Sequence, residues 1–378
     1  MSRILVFHKI VPSYRVGIFR ELYKRFNIIT CHSMELKNSS WKSSWKEMDY
    51  PNELLKKVHY LKSDTSVVQN VFPVLKKYKP EIIISEFAIG YMTFWLLFLL
   101  KPFYKYKLVA WTHGIKNNEI DKPFKSIKSR IALFIYKKAD GILLYSEFRK
   151  KIIEKRVREK EKIFVAANTL DTNELTEIYN GLKQQSKEVV KKRLNFKSEY
   201  NLIYSGRLLP SKRIDLILEA FKIVKKNTNI ALHFIGEGPE LKLINQYQKE
   251  VDDIYTYGGI YDNKITGDYL YASDMFIMPG YIGLSIVHGF CFGLPMVTCR
   301  ATEEGPFHSP EIEYLKDKQN GLLCESTAES IAERIKIVID DKKLLNKMSE
   351  NALHTVVTEC SLDKMMEGFK DLIQYLQK

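Results

Sequence analysis

Two cations close to a glycine form the first pattern in the sequence that is suited to chemistry. Gly206 ends a strand-like run, Arg207 follows it, and Lys212 lies five residues further on, just before a helical pattern. An arginine can donate two hydrogen bonds to one phosphate, and a lysine adds a mobile point charge. Such charge-assisted bonds contribute about 1.5–3 kcal/mol each, against roughly 0.3–1 kcal/mol from a helix N-terminus. The spacing therefore predicts a diphosphate-binding site.

A second pattern is a glycine-containing loop that leads from a strand into a helix. Gly280 and Gly283 interrupt an apolar run, and a helical pattern starts at Leu284. The first amides of a helix have no partner within it, so those of Gly283, Leu284 and Ser285 can hold phosphate oxygens or sugar hydroxyls. A glycine before a helix also serves tight packing, so this loop by itself is a weak signal.

The first half of the chain offers fewer candidates. His113 follows the strand-like run Leu108–Trp111 and precedes Gly114, which places it at the carboxyl end of a predicted strand. Tyr14 and Arg15 stand before the first helical pattern, where they are candidates for contact with a ligand. Ordinary loop positions remain open for all three residues.

Several other chemistries lack their motifs in the sequence. It contains no Asp-x-Asp pair, no histidine cluster with metal-ligand spacing and no Gly-x-x-x-x-Gly-Lys loop. Gly236-Glu237-Gly238 lacks the third glycine of a dinucleotide fingerprint. Arg207 and Lys212 could neutralise a diphosphate without a divalent ion. We therefore expect neither a metal nor another cofactor.

Short β-rich runs alternate with helical patterns along the whole chain, which is typical of parallel sheets covered by helices. This alternation predicts an α/β fold with two doubly wound domains, whose strands would end at a shared cleft. The predicted parts are an N-terminal domain at 1–173, a charged crossing segment at 174–196, a C-terminal domain at 197–358 and a closing amphipathic helix at 359–378. A helix is predicted at 67–78, within the first domain.

Composition and charge restrict the possible partners. The net charge is +14, but residues 1–200 hold 39 basic against 20 acidic side chains, whereas residues 201–378 hold 20 against 25. The basic half predicts contact with an anionic membrane or a phosphorylated acceptor, with an ordinary solvated, Lys-rich surface as the alternative. No recognition motif accompanies the charge to favour nucleic acid. The apolar stretch 87–100 is too short to span a membrane, and we interpret it as a buried helix, with a membrane-dipping face as the alternative.

Five scattered cysteines and the absence of a signal peptide predict a reduced, cytoplasmic location, with peripheral contact at the inner face of the plasma membrane.

These motifs together resemble the retaining glycosyltransferases of family 4, of the kind found in bacterial capsule and O-antigen synthesis. The resemblance rests on Gly206-Arg207 with Lys212, on Ile235–Glu240 and Ala272–Asp274, on the loop from Pro279 to Pro295, and on Pro310-Glu311 and Asn320–Leu323. Pro12–Val16 with Phe19 and Trp111–Gly114 extend it into the first half, where it is less specific. It implies a GT-B fold, with the C-terminal helix crossing back to the first domain, and transfer of a sugar from a nucleotide-sugar donor to a saccharide or lipid-linked acceptor.

Roles for individual residues follow from this resemblance. His113 would approach the transferring sugar, and Tyr261 would lie beside the base. The predicted catalytic residues are His113, Arg207 and Lys212; the predicted donor-binding residues are Gly206, Gly236, Glu237, Tyr261, Gly280, Ile282, Gly283, Leu284, Ser285 and His288; and the predicted acceptor-side residues are Tyr14 and Arg15.

The chain departs from the family pattern at two positions. The family usually carries two glutamates separated by seven residues across the glycine loop, and here Gly280 and His288 take their places. Recognition of the donor sugar must therefore differ, while His288 retains the ability to hydrogen-bond a ribose. Two alternatives stay open. A nucleotide-sugar epimerase would consume donor without an acceptor, and a non-catalytic subunit would bind a nucleotide sugar without cleaving it.

Overall fold

The protein is described by a computed structural model over residues 3–35, 43–56, 58–60, 66–115, 119–120 and 122–378. The chain forms two compact units, one made of Met1–Asp171 with Leu362–Lys378 and the other of Thr172–Ser361. Each unit contains a parallel sheet covered by helices. The predicted α/β fold with two doubly wound domains is confirmed.

The sheet of the first unit has seven strands in the order β3-β2-β1-β6-β7-β8-β9. Its strands are β1 (Ile4–Phe7), β2 (Ile29–His32), β3 (Asn52–Leu54), β6 (Ile82–Glu86), β7 (Lys107–Thr112), β8 (Gly141–Leu144) and β9 (Ile163–Val165), and β4 (Val58–Tyr60) pairs with β5 (Val67–Gln69) as a separate antiparallel ribbon. Its helices are α1 (Ser13–Phe26), α2 (Phe72–Tyr78), α3 (Met92–Tyr104), α4 (Ile127–Lys138), α5 (Glu147–Glu154) and α14 (Leu362–Gln377). Because all neighbours in the main sheet run parallel, their carboxyl ends share one edge.

The helix predicted at 67–78 is wrong in its first half. Residues Val67–Gln69 form β5, and α2 begins only at Phe72, with Pro73 in its first turn. Two consecutive β-branched valines favour a strand, and proline is well accommodated in the first turn of a helix, where its missing amide has no partner to lose.

The sheet of the second unit has six parallel strands in the order β12-β11-β10-β13-β14-β15. Its strands are β10 (Tyr200–Ser205), β11 (Ile230–Ile235), β12 (Ile254–Thr256), β13 (Met275–Ile277), β14 (Met296–Cys299) and β15 (Gly321–Cys324). Its helices are α6 (Thr172–Leu182), α7 (Lys187–Arg193), α8 (Ile214–Lys225), α9 (Leu241–Tyr247), α10 (Asn263–Ala272), α11 (Ser285–Cys291), α12 (Ala328–Asp340) and α13 (Lys342–Thr355). The segment predicted as a crossing, 174–196, lies in this unit, where α6 and α7 pack against α10.

The C-terminal helix α14 returns to the first unit, as predicted. Its apolar side is buried in one cluster with Trp111, whose ring meets Phe369 edge-on at 5.1 Å between centroids. Gly368 lets the helix approach β9 closely, because a Cβ there would lie 1.9 Å from the carbonyl oxygen of Val165.

We expect Gly368→Ala to destabilise the first unit, because the added methyl group has to push α14 away from β9. Overpacking of this kind costs about 1–3 kcal/mol, which thermal or denaturant unfolding would detect. Gly181→Ala on α6 is the matched control. No atom lies within 4 Å of its added Cβ, and alanine in a helix is favoured over glycine by about 1 kcal/mol. Equal losses for both variants would contradict the packing described.

All five cysteines are buried thiols, and none of them forms a disulfide. The stretch predicted as a buried helix becomes α3, with Phe94 and Leu97 fully buried but Leu99 and Phe103 exposed. Over the described residues, no helix combines the length and apolar character that crossing a membrane requires.

Candidate functional site

In the second unit, three strands end in glycines that bring their loops into contact. The amide of Gly206, after β10, donates to Ile235 of β11 at 2.9 Å, and the amide of Gly236 donates to Gly258 at 2.7 Å. A Cβ on Gly236 would lie 1.9 Å from the carbonyl oxygen of Gly206. Gly206 has a φ angle of +153° and Gly236 one of +154°, in a region that favours glycine. At the carboxyl edge of the sheet, the backbones of neighbouring loops are therefore in close contact.

Lys212 lies at this edge, in a short turn before α8. Its Nζ donates to the carbonyl oxygen of Tyr281 at 2.5 Å and stands 4.9 Å from the centre of the Tyr281 ring. No described carboxylate forms a salt bridge with it. Desolvation, followed by the charge of Arg207, lowers the pKa of Lys212 to about 8. A half-buried ammonium in these surroundings would be stabilised by a bound anion.

Arg207 is placed by its own backbone. Its carbonyl oxygen accepts a hydrogen bond of 2.7 Å from the hydroxyl of Tyr204, a buried residue of β10. The amide of the next residue, Leu208, donates to the carbonyl oxygen of Glu237 at 2.8 Å. The side chain of Arg207 is exposed. The loop is thus fixed on both sides of the guanidinium, which itself faces solvent close enough to Lys212 to influence its pKa.

Gly280 fills the position where the family pattern has a glutamate, and its surroundings explain why a side chain is absent. A Cβ there would lie 2.3 Å from the carbonyl oxygen of Ser211 and 2.4 Å from the carbonyl carbon of Lys212. The amide of Tyr281 donates to Ser211 at 2.9 Å. The lysine-bearing turn therefore packs directly on the glycine loop.

A second loop supports the glycine loop from the other side. The amide of Ile282 donates to Nδ1 of His308 at 3.2 Å, and Nε2 of His308 donates to the carbonyl oxygen of Cys299 at 2.8 Å. The amide of Ser309 donates to Ile282 at 2.9 Å, and the Ser309 hydroxyl meets that of Tyr281. These contacts require a neutral His308, consistent with the lowering of its pKa by burial. Sequence reasoning missed this residue, which is separated from the loop by more than twenty positions.

The predicted helix start is confirmed to within one residue, because α11 begins at Ser285. The amides of Gly283, Leu284 and Ser285 therefore stand at the first turn, where a helix offers them no carbonyl partner. His288 lies one turn later. Its Nε2 is buried and has no hydrogen-bond partner among the described residues, and burial lowers its pKa to about 4.

Two other predicted residues lie at the β11 and β12 ends. Oε1 of Glu237 accepts from the amide of Gly259 at 3.4 Å, so the carboxylate bridges neighbouring loops. Tyr261 is 84% exposed, which leaves its ring available to a ligand. The second unit thus brings together the predicted residues Gly206, Arg207, Lys212, Gly236, Glu237, Tyr261, Gly280, Ile282, Gly283, Leu284, Ser285 and His288 around the carboxyl edge of one sheet.

In the first unit, His113 follows β7 at the carboxyl edge, as predicted. Its ring lies 4.7 Å from that of Tyr145, and its carbonyl oxygen accepts from Nη1 of Arg149 at 3.0 Å. Desolvation by the surrounding protein, then the charges of Arg149 and Arg15, lower the pKa of His113, although the ring retains contact with solvent. The imidazole is therefore neutral at neutral pH.

Arg15 is buried rather than presented to solvent. Its Nη2 donates to Oδ1 of Asn168 at 2.9 Å and to the hydroxyl of Tyr145 at 3.3 Å, and its guanidinium lies 5.2 Å from the Trp111 ring. The neighbouring Tyr14 is 37% exposed. Of the two predicted acceptor-side residues, Tyr14 is thus the accessible one, and Arg15 organises the strand ends.

A charged group at the same edge escaped the sequence prediction. The carboxylate of Glu86, at the end of β6, lies 3.4 Å from Nδ1 of His8 and 3.2 Å from Nζ of Lys9, both of which follow β1. Desolvation lowers the pKa of His8 to about 4, overriding the opposite effect of Glu86. The sequence indicates this cluster only through position, because His8, Lys9 and Glu86 all stand where a strand ends. Within the described residues, no group of three or more potential ligands is placed to hold a metal ion.

Comparison with known proteins gives the class of protein. Residues 185–355 match the family model described as glycosyl transferases group 1, and this segment lies in the second unit. The Anabaena protein HepE, solved in complex with UDP, superposes with a TM-score of 0.71 at 13% identity, over 99% of this chain and 100% of that one. The chain therefore has the GT-B fold, and residues 185–355 of its second unit are similar to the group 1 glycosyltransferases.

Two curated relatives align with about half of the chain. N-acetyl-alpha-D-glucosaminyl L-malate synthase of Bacillus anthracis is 24% identical over 181 residues, which are 46% of this chain and 45% of the relative. Poly(ribitol-phosphate) alpha-N-acetylglucosaminyltransferase of Staphylococcus aureus is 22% identical over 187 residues, 47% of this chain and 36% of the relative. The aligned part thus spans less than half of each relative.

Proposed function

We propose that the protein is a retaining glycosyltransferase of family 4 type, which transfers a sugar from a nucleoside-diphosphate sugar without a metal ion. The observation that carries this proposal is the half-buried, carboxylate-free Lys212 beside Arg207, at the carboxyl edge of a sheet whose sequence matches the group 1 family. A diphosphate would bring negative charge to Lys212, which forms no salt bridge with a described carboxylate, and to the neighbouring exposed Arg207.

In the proposed reaction, the bond between the sugar C1 and the phosphate oxygen breaks while the diphosphate is held by Arg207, Lys212 and the amides of Gly283 to Ser285. An acceptor hydroxyl attacks C1 on the same face. Its proton passes to the departing phosphate oxygen, so the anomeric configuration is retained without a protein nucleophile. Positive charge placed in advance where negative charge develops is the main catalytic contribution. His113, neutral in the first unit, is proposed to polarise the sugar.

The names of the relatives suggest which donors to examine first. Both curated relatives are named for N-acetylglucosaminyl groups, and HepE was solved with UDP. We therefore propose a UDP-linked sugar, with UDP-N-acetylglucosamine and UDP-glucose as the first candidates. Gly280 offers no side chain, so recognition of the sugar falls to backbone groups and neighbouring loops.

We propose a saccharide or lipid-linked saccharide as the acceptor, in the synthesis of a bacterial surface polysaccharide such as capsule or O-antigen. A cytoplasmic protein in peripheral contact with an anionic membrane would meet such an acceptor at the inner face of the plasma membrane. The excess of basic residues in the first 200 positions supports this placement.

Slow cleavage of the donor in the absence of acceptor tests the proposed chemistry. We would follow the sugar released from an α-linked UDP-sugar by NMR, with and without EDTA. Initial appearance of the α-anomer, unchanged by the chelator, is the expected result. Initial appearance of the β-anomer would contradict retention, and loss of activity in EDTA would contradict metal independence. Tight nucleotide binding without cleavage would be compatible with both an acceptor-dependent enzyme and a non-catalytic subunit, and release of UDP on addition of an acceptor would distinguish them.

The pH dependence of UDP binding tests the role of Lys212. A bound diphosphate stabilises the ammonium, so the pKa of Lys212 rises in the complex. Affinity should therefore change little between about pH 7, where the terminal phosphate of UDP is ionised, and about pH 8, and should fall by up to about tenfold per pH unit above pH 8. Titration calorimetry would measure this. Lys212→Arg, which stays charged, should remove the decline above pH 8, and a decline that persists in this variant would contradict the assignment.

A further inference from the structure

A basic pocket lies at the amino edge of the first unit's sheet, opposite to the edge that carries Glu86 and His113. Its cavity measures about 1090 Å³. We call it the amino-edge pocket; its charged lining residues are Arg3, Lys76, Lys79, Lys105, Lys107 and Glu81. Arg3 precedes β1, Glu81 precedes β6 and Lys107 opens β7, so the parallel strands bring them together.

The charges of this pocket do not cancel. Glu81 pairs with Arg3 at 3.5 Å, the Lys107 ammonium donates to the carbonyl oxygen of Leu376, and three helices, α2, α3 and α14, end at the pocket. Each helix C-terminus contributes about half a negative charge. Subtracting the Glu81 carboxylate and these three half-charges from the five cations leaves a surplus of about 2.5 positive charges. Such a surplus favours an anionic ligand.

The rim of the pocket is apolar, which a free inorganic anion would not need. Phe103 is 79% exposed, Phe72 47% and Tyr104 39%, and all three line the cavity. Leu99, one turn before Phe103 on α3, is 66% exposed. An anion attached to an apolar body matches this combination of surfaces, because both of its parts find a partner.

The apolar surface continues onto α4. Ile127, Ile131 and Phe134 are spaced by four and three residues along the helix and are 76%, 38% and 50% exposed. The Phe134 ring lies 6.4 Å from Phe98 of α3, so the two helices are neighbours. Helix α4 also carries the exposed basic residues Lys128, Arg130, Lys137 and Lys138. Apolar and basic side chains thus share one face of the first unit.

We propose that this α2–α3–α4 face docks on an anionic membrane, with a lipid phosphate in the amino-edge pocket and with Leu99 and Phe103 at the acyl boundary. Surface attachment of this kind needs both an apolar and a basic contribution, since either one alone binds weakly. This inference specifies which surface makes the membrane contact that is part of the proposed function. It rests on the proposed function only for the location of the protein in the cell. It is independent of donor cleavage.

Co-sedimentation with vesicles tests the proposal. We would compare vesicles of phosphatidylcholine alone with vesicles that contain about one quarter phosphatidylglycerol. Wild type should prefer the anionic vesicles, and added salt should weaken this binding. Lys79→Gln with Lys105→Gln should lose about 25-fold in affinity, since each basic side chain near an anionic surface contributes roughly fivefold. Leu99→Ser with Phe103→Ser should lose at least about tenfold, including at high salt.

Matched substitutions on the second unit serve as controls. Val357, which is 67% exposed, is changed to Ser, and the exposed Lys226 is changed to Gln. Both should bind vesicles like wild type, and all variants should retain thermal stability and donor cleavage. Equal binding to both vesicle types, or equal losses in the control variants, would overturn the proposal. Calorimetric binding of inorganic phosphate without vesicle binding would also overturn it and assign the pocket to a soluble anion.

Discussion

Arg207→Ala should lower the rate of donor cleavage by about 10²–10³-fold, because removal of one preorganised partner of developing charge has effects of this size. The loop itself should survive the change. Its position is set by the backbone bonds of residues 207 and 208 to Tyr204 and Glu237, which do not involve the guanidinium. Steady-state release of UDP would measure the loss, and circular dichroism would verify folding.

Arg213 supplies a matched control in the same turn. Its guanidinium donates to both carboxylate oxygens of Asp215 at 2.9–3.1 Å, so its charge is already engaged. Asp215 stands in the first turn of α8, where the helix dipole stabilises it without this partner. We expect Arg213→Ala to change the rate by a few-fold at most. A loss below about tenfold for Arg207→Ala, or equal losses for the two variants, would contradict the assigned role.

Restoring the family glutamate should abolish activity rather than improve it. In Gly280→Glu, the new Cβ would stand 2.3–2.6 Å from backbone atoms of Ser211 and Lys212, which cannot rotate away. The turn that carries Lys212 would have to move, at a cost of about 1–3 kcal/mol or more in the free energy of unfolding. We expect a lowered melting temperature and at least a tenfold loss of UDP affinity.

Gly283→Ala isolates the steric cause of that effect. The nearest atom to its added Cβ is a ring carbon of Tyr281 at 3.8 Å, an ordinary contact. Its melting temperature should therefore equal that of wild type within about one degree, for a change in the free energy of unfolding of a few tenths of a kcal/mol. A stable, active Gly280→Glu variant would show that the turn and the loop separate easily, contrary to the structure.

Local patterns in the sequence were sufficient for most of the fold. Parallel strands buried on both faces read as short apolar runs, so the strand-like run Leu108–Trp111 indicates β7, which extends one residue further at each end. The short edge strand β3 was not anticipated, because Asn52–Leu54 has neither the length nor the alternation that marks a strand. The segment 174–196 was predicted as a crossing from its charge, whereas one apolar side of α6 and α7 is enough to attach it to α10.

Only part of the candidate site can be predicted from the sequence, and the reason is physical. Arg207 and Lys212 lie close together along the chain, so their spacing alone indicated an anion site. The support of the glycine loop by His308 and the cluster of His8, Lys9 and Glu86 depend on distant segments that meet only in the folded sheet. The sequence also could not show that the Lys212 turn occupies the space of a Gly280 side chain.

The most direct test of the central claim is binding and slow hydrolysis of a panel of nucleotide sugars without acceptor, in wild type and Arg207→Ala. The account predicts selective release of one nucleoside diphosphate by the wild-type protein and its loss in the variant. That outcome would identify the donor and place its diphosphate on the second unit. Failure of the wild-type protein to bind any member of the panel would contradict the account.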